Sequence, residues 1–150
     1  MKSRTDVTGE LFGVVGRFRR QLRRSAGRGF ESPQLSESQS ELLWLVGRRP
    51  GISVSTAAAE LGLVPNTAST LVTKLVSGGL LLRTAGHTDR RVCQLRLAEP
   101  AQQIADASRA ARRALLSEVI DELDDEQIES LTKGLEVLDT MTRKMQERRS

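Results

Sequence analysis

Tyrosine is absent from this 150-residue chain, which has only three phenylalanines and one tryptophan. Stacking platforms for single-stranded nucleic acid need exposed aromatic rings, so the composition argues against one. Any core must rest on Leu, Val, Ile and Ala. One cysteine, Cys93, excludes an internal disulfide, and with one histidine, His87, no zinc-ligand spacing can be assembled. The same scarcity leaves no Ser/His/Asp or Cys/His set, and there is no phosphate-cradling glycine loop. The chain therefore reads as no enzyme, with neither cofactor nor metal. No apolar run approaches the roughly 20 residues that span a bilayer, and the N-terminus lacks a signal peptide's apolar segment. The expectation is a cytoplasmic protein with no membrane attachment.

What is present is unevenly distributed. The formal charge of +4 divides into +5 over residues 1–50, +3 over 51–97 and −4 over 98–150. A basic front and an acidic back suggest one face turned to a polyanion. The length fits one domain, or a compact domain with an appended oligomerisation element.

The first segment, from about Thr5 to Ala26, carries Val7, Leu11, Val14, Val15, Phe18 and Leu22 on one helical stripe, and Gly27 and Gly29 end it. Arg17, Arg19, Arg20, Arg23, Arg24 and Arg28 crowd its second half. Ser36 with Gln39 is a capping-box pattern opening a helix with Leu42, Leu43, Leu45 and Val46. Arg48 to Gly51 closes it as a turn. Ser53 then suits the N-cap of a short helix, Val54–Leu61, whose Ala57, Ala58 and Ala59 permit a close helix crossing. Gly62 ends that helix, and Pro65 sits where a first helical turn tolerates it.

The next helix has two faces. Ala68, Leu71, Val72 and Leu75 form a buried stripe, while Asn66, Ser69, Thr70 and Thr73 repeat the same spacing on the other side, with Lys74 at its edge. Solvated faces usually favour Glu, Lys and Arg, which are better helix formers than Ser, Thr and Asn. Short uncharged hydrogen-bonding groups suit close approach to a DNA major groove; the plainer reading is a weakly optimised surface. Helix, tight glycine turn, helix is the helix-turn-helix arrangement, with the second helix as the reader.

Gly78-Gly79 stops that helix. Leu80–Thr84 and Val92–Leu97 are strand candidates, with Cys93, Leu95 and Leu97 on one face of the second. The polar tip between them, with His87, Arg90 and Arg91, makes the hairpin a wing placed to reach an adjacent backbone or minor groove. Two further helices follow. One runs from Pro100 to about Leu123, with Leu115, Leu116, Val119 and Ile120 apolar. The other is capped by Asp124 with Gln127 and carries Ile128, Leu131, Leu135, Leu138, Met141 and Met145 at near-heptad spacing. They exceed what a small winged domain needs to cover itself, and with the first helix they suit a dimer interface.

In this order the elements resemble the MarR family of bacterial transcription regulators over nearly the whole chain. The local signatures are Ser53–Leu63, Asn66–Leu81 with its Leu-Val-x-x-Leu-x-x-x-Gly-Leu run, and Asp89-Arg90-Arg91 followed by Leu95 and Leu97. The resemblance implies a mainly α fold with a small β-hairpin (α+β), a winged helix-turn-helix with N- and C-terminal dimerisation helices. Residues 1–34 would be the N-terminal dimerisation helix and connector, 35–98 the DNA-binding domain, and 99–150 the C-terminal dimerisation helices, in one intertwined unit. It further implies a homodimeric, ligand-responsive repressor of a near-palindromic double-stranded operator. Pro65, Asn66, Thr67, Ser69, Thr70 and Thr73 would then lie on bases and phosphates and Lys74 on the backbone. Arg91 would enter the minor groove, oriented by Asp89, with His87 and Arg90 adding contacts. Val7, Leu11, Val14, Phe18, Leu115, Val119, Leu131, Leu135 and Leu138 would form the dimer interface.

The resemblance also implies a small-molecule effector between the dimer helices and the winged lobes. Phe12, Phe18, Phe30 and Trp44 are candidates to line its pocket, although core packing explains them equally well. Departures from the family pattern are the short Gly86-His87-Thr88 stretch, a reading helix with one basic residue, and Ala98-Glu99-Pro100 without a good N-cap. Cys93 reads as an inert strand thiol rather than a redox sensor. The N-terminal arginines suit either a solvated face or phosphate contacts. A winged helix that had lost DNA binding and regulated a protein partner is the competing reading.

Overall fold

The computed structural model describes residues 1–86 and 91–148. In chain order these form α1 (Arg4–Ala26), α2 (Glu37–Arg48), α3 (Val54–Leu61), α4 (Pro65–Ser77), β1 (Leu81–Ala85), β2 (Cys93–Leu97), α5 (Glu99–Asp121) and α6 (Asp125–Glu147). The fold is mainly α with one antiparallel hairpin, as the hydrophobic periods predict.

The helix starts are written in side chains. Ser3, Ser36 and Asp124 each form a reciprocal capping box, with Asp6, Gln39 and Gln127, and Ser53 Oγ accepts from the Thr56 amide at 3.1 Å. Such caps stabilise a helix by about 1 kcal/mol each. The Ser3 box starts α1 at Arg4, just ahead of the periodic stripe. Val64, ahead of α4, and Ala98, ahead of α5, offer no side-chain oxygen to first turns that Pro65 and Pro100 enter. The Ala98 amide instead donates to the Leu80 carbonyl at 2.9 Å, tying the helix start to the hairpin.

Two glycines close α3 and α4 in the same way. At Gly62 (φ +66°) the Leu63 amide reaches back to the Ala58 carbonyl at 2.9 Å, and at Gly79 (φ +75°) the Leu80 amide reaches Leu75 at 2.9 Å. Both are left-handed Schellman closures that satisfy carbonyls at a helix end. Leu80 is thereby committed to the end of α4, so β1 begins at Leu81 and not at Leu80 as its apolar character suggested. Likewise the Val92 carbonyl accepts from Gly86 across the hairpin end, and β2 begins at Cys93. Register pairs Leu81 with Leu97, Arg83 with Leu95 and Ala85 with Cys93. On its other edge β2 meets residues 51–53: the Gly51 amide donates to Leu95 and the Leu95 amide to Ile52, both at 2.8 Å. The Arg48–Gly51 turn therefore leads into an edge of the wing, which its Gly and Pro content disguised.

Leu42, Leu43, Leu45 and Val46 of α2 form the centre of the core, against Ala57 of α3, Val72 and Leu75 of α4, Leu81, Leu95 and Leu97 of the hairpin, and Ala101 and Ala105 of α5. Phe30, in the connector after α1, is also buried, and its carbonyl accepts from buried Ser40 Oγ at 2.9 Å. By contrast α1 and α6 contribute no buried residue. No helix among the described residues is long and apolar enough to cross a membrane.

Candidate nucleic-acid interface

The two faces of α4 separate in the structure as the sequence pattern predicts. Ala68, Val72 and Leu75 are buried, whereas Asn66, Thr67, Ser69, Thr70, Thr73 and Lys74 are all exposed. The helix opens outward at its N-terminus: Val64 is the N-cap, no side chain caps the first turn, and Pro65 carries no amide hydrogen. Free backbone donors at a positive helix end attract anionic oxygens.

Hydrogen bonding within the helix decides which atoms it presents. Thr70 Oγ1 donates to the Asn66 carbonyl and Thr73 Oγ1 to that of Ser69, each at 2.9 Å. Both hydroxyl protons are used internally, so each threonine offers its methyl group and its remaining oxygen lone pairs outward. Arg83 completes the arrangement, its Nη2 donating to Thr73 Oγ1 at 2.7 Å. Sequence reasoning missed Arg83. It shares a strand face with buried Leu81, but lies beyond the edge of the core, so its guanidinium reaches α4. A basic residue two positions after a core leucine in β1 was the available signal. Arg83 joins the hairpin to α4 and adds a positive charge beside a helix that has only Lys74.

Arg91 lies exposed at the near end of the hairpin tip. His87, Asp89 and Arg90 lie outside the described residues, and so does the expected Asp89–Arg91 pair. Cys93 is half-buried against the core, on the apolar strand face. No group of His, Cys, Asp and Glu among the described residues could hold a metal ion.

Helix, left-handed glycine turn, exposed polar helix and hairpin together correspond to a known pattern. Residues 35–93 match the model of the MarR family. The chain carries a MarR-family domain. Members of this family are transcription regulators with a DNA-binding winged helix. The MarR domain extends from the connector before α2 through the hairpin, and its match ends at Cys93. Among curated proteins no sequence matches significantly. Solved structures share the fold over almost the whole chain. FabT of Streptococcus pneumoniae, determined in complex with DNA, is 21% identical with a TM-score of 0.76, covering 95% of this chain and 99% of that one. Rv1404 of Mycobacterium tuberculosis is 18% identical with a TM-score of 0.74, covering 93% and 94%. CouR of Rhodococcus jostii RHA1, bound to p-coumaroyl-CoA, is 22% identical with a TM-score of 0.59, covering 92% and 95%. These likenesses extend the fold of the MarR domain to α1, α5 and α6.

The expected pocket aromatics are not gathered together. Phe12 and Phe18 lie exposed on α1 and line neither large cleft of the described residues. Phe30 is buried beneath Trp44, their rings edge-to-face with centroids 4.6 Å apart. Of these four aromatics only Trp44 lines the two clefts. The expected interface residues are open: Val7, Val14, Phe18, Val119, Leu131, Leu135 and Leu138 are exposed, and Leu11 and Leu115 are half-buried.

Proposed function

We propose that this protein is a sequence-specific regulator of transcription that binds duplex DNA as a homodimer in the cytoplasm, acting as a ligand-responsive repressor on a near-palindromic operator. The observation that carries the reading is the exposed Asn/Ser/Thr face of α4, uncapped at its N-terminus and joined to the wing by Arg83, within a MarR-family domain. Asn66, Thr67, Ser69, Thr70 and Thr73 would meet base edges and phosphates, with Pro65 setting the helix start and Lys74 on the backbone. Arg91 would enter the minor groove, with His87, Asp89 and Arg90 around it. A DNA complex of FabT and a ligand complex of CouR, both of the same fold, support the two halves of the proposal.

The dimer reading rests on apolar side chains left in solvent. Phe18, Val119, Leu135 and Met145 are each at least half exposed, and neither α1 nor α6 has a buried residue within one chain. Contiguous apolar stripes on helices of 23 residues call for a partner of matching length, and a second copy supplies the same stripes about a two-fold axis.

The deciding experiment titrates the purified protein against duplex from its own upstream region and against a scrambled duplex, over a salt series. A discriminating complex of two protomers per site, weakened steeply by salt, is the expected result. Equal binding to both duplexes at every salt would overturn specific regulation at that site. It would favour a winged helix serving a protein partner. Transcripts from the bound promoter should rise when the gene is deleted; a fall would make the protein an activator.

A further inference from the structure

Most of the arginine run of α1 is exposed, with only Arg23 half-buried, yet it borders a concave surface. Arg19, Arg20, Arg23, Arg24 and Arg28 line a cleft of about 740 Å³ against the connector and α2. A second cleft, of about 990 Å³, continues from it across α2 and α5. The two meet along Arg19, Arg23, Glu31, Glu41 and Trp44, which line both. Arginines outnumber carboxylates five to three in the first and six to two in the second, so charge accumulates toward the second. Its walls bring Arg48 from α2 and Arg109, Arg112 and Arg113 from α5 to a floor that includes Leu22, Leu61, Leu116 and Ile120.

Internal partners account for little of this charge. Arg23 pairs with Glu31 at 2.9 Å, and Arg109 reaches the Gly47 carbonyl and Asp106 only at 3.4 and 4.0 Å. Among the described residues no carboxylate pairs with Arg19, Arg20, Arg24, Arg48 or Arg113. Arg112 lies over the Trp44 ring, 4.7 Å from its centroid, and its Nε is buried with no acceptor among the described residues. A buried donor without a partner is uncommon and calls for an acceptor. Arg19 and Arg23, like Arg20 and Arg24, are spaced i,i+4, where like charges disfavour the helix.

We infer that this trough is a binding site for a small amphipathic polyanion, a polyphosphate joined to an apolar body, with the phosphates on the arginines around Trp44 and the apolar part on Leu22, Leu61, Leu116 and Ile120. Guanidinium forks match phosphate oxygens in pairs. The volumes suit a small ligand, and a concave trough is the wrong shape for a duplex, which admits convex elements into its grooves. The inference rests on the effector reading above and gives that effector its chemical class.

Trp44 is the only tryptophan in the chain, so its fluorescence reports on the trough in the native protein. Geranyl diphosphate should change the emission saturably. Inorganic pyrophosphate should compete more weakly, and geraniol alone should have little effect. Arg48→Gln combined with Arg113→Gln, both exposed, should weaken geranyl diphosphate by roughly tenfold or more, the loss of a good charged contact. Arg143→Gln with Lys144→Gln on α6 should change nothing. No saturable response to the diphosphate overturns the inference, as does equal affinity in the Arg48/Arg113 variant. Binding of geraniol as tight as that of its diphosphate overturns the polyanion class. A random-sequence duplex that displaces the diphosphate would reassign these arginines to DNA and overturn it too. Diphosphate binding that leaves operator affinity unchanged supports the site and counts only against its role as effector.

Discussion

Thr70 and Thr73 show how one internal hydrogen bond changes what a side chain can read. With each hydroxyl proton given to the carbonyl four residues back, the outward methyl becomes the distinguishing group, suited to the thymine C5 methyl. Thr70→Ala should reduce discrimination between operator and scrambled duplex more than it reduces affinity for the latter. Thr70→Ser, which keeps the hydroxyl and drops the methyl, should behave like Thr70→Ala; operator affinity retained by serine alone would assign the contact to the oxygen. At the wing, Arg91→Ala should weaken operator binding by about 1–3 kcal/mol, the scale of a good base contact, without changing the dimer in sedimentation. Equal affinity in that variant removes the wing from recognition. Gly29 belongs to stability. Its φ is +58°, and an added Cβ would overlap the Trp44 ring. Left-handed backbone costs a residue with a Cβ about 1–2 kcal/mol, and the ring is held between Phe30 and Arg112. Gly29→Ala should therefore lower stability in urea by at least about 2 kcal/mol, whereas an unchanged midpoint would mean that Trp44 gives way freely.

Among the elements, α2 and α6 are the extremes. Leu42, Leu43, Leu45 and Val46 make α2 buried on most sides, while α6 has the same length as α1 and no buried residue within the chain. A 23-residue amphipathic helix gains little from propensity alone, so the stripe of α6 depends on a partner surface. Leu135→Asp places a charge in the middle of that stripe. In the proposed dimer the charge would be buried and unpaired, and the sedimentation mass should fall to that of one protomer. A mass that stays at two protomers would falsify this interface. The α3–α4 pair depends on its helix ends in a different way, since the glycine closures at Gly62 and Gly79 set the turn between α3 and α4 and the start of the hairpin.

For the whole molecule, the basic front and acidic back correspond to different elements. Residues 1–97 supply α1 with its arginines, α2 to α4 and the hairpin, and the acidic C-terminal third supplies all of α5 and α6. The α5 arginines are the exception: folding carries Arg109, Arg112 and Arg113 out of that third to face those of α1. A folded state held partly by association should be more stable at higher protein concentration. The thermal midpoint of the wild type should rise between micromolar and hundred-micromolar protein, and that of Leu135→Asp should not.

Local chemistry made much of the fold legible in the chain itself. The Ser36, Ser53 and Asp124 caps, the glycine stops and the 3.6- and 2-residue periods place every helix and both strands to within a residue or two, because each depends on groups a few positions apart. The polar face of α4 was legible for the same reason. Contacts between residues distant in sequence required the tertiary structure. Arg83 meets Thr73 only because the hairpin folds back on α4, and residues 51–53 pair with β2 across some forty positions. The aromatic residues showed the limit most clearly. Composition offered four candidates for one pocket, but packing buried Phe30, left Phe12 and Phe18 in solvent, and set Trp44 alone in an arginine-lined trough. Side-chain type determined which residues could serve, and the crossing of α1, α2 and α5 decided which of them meet.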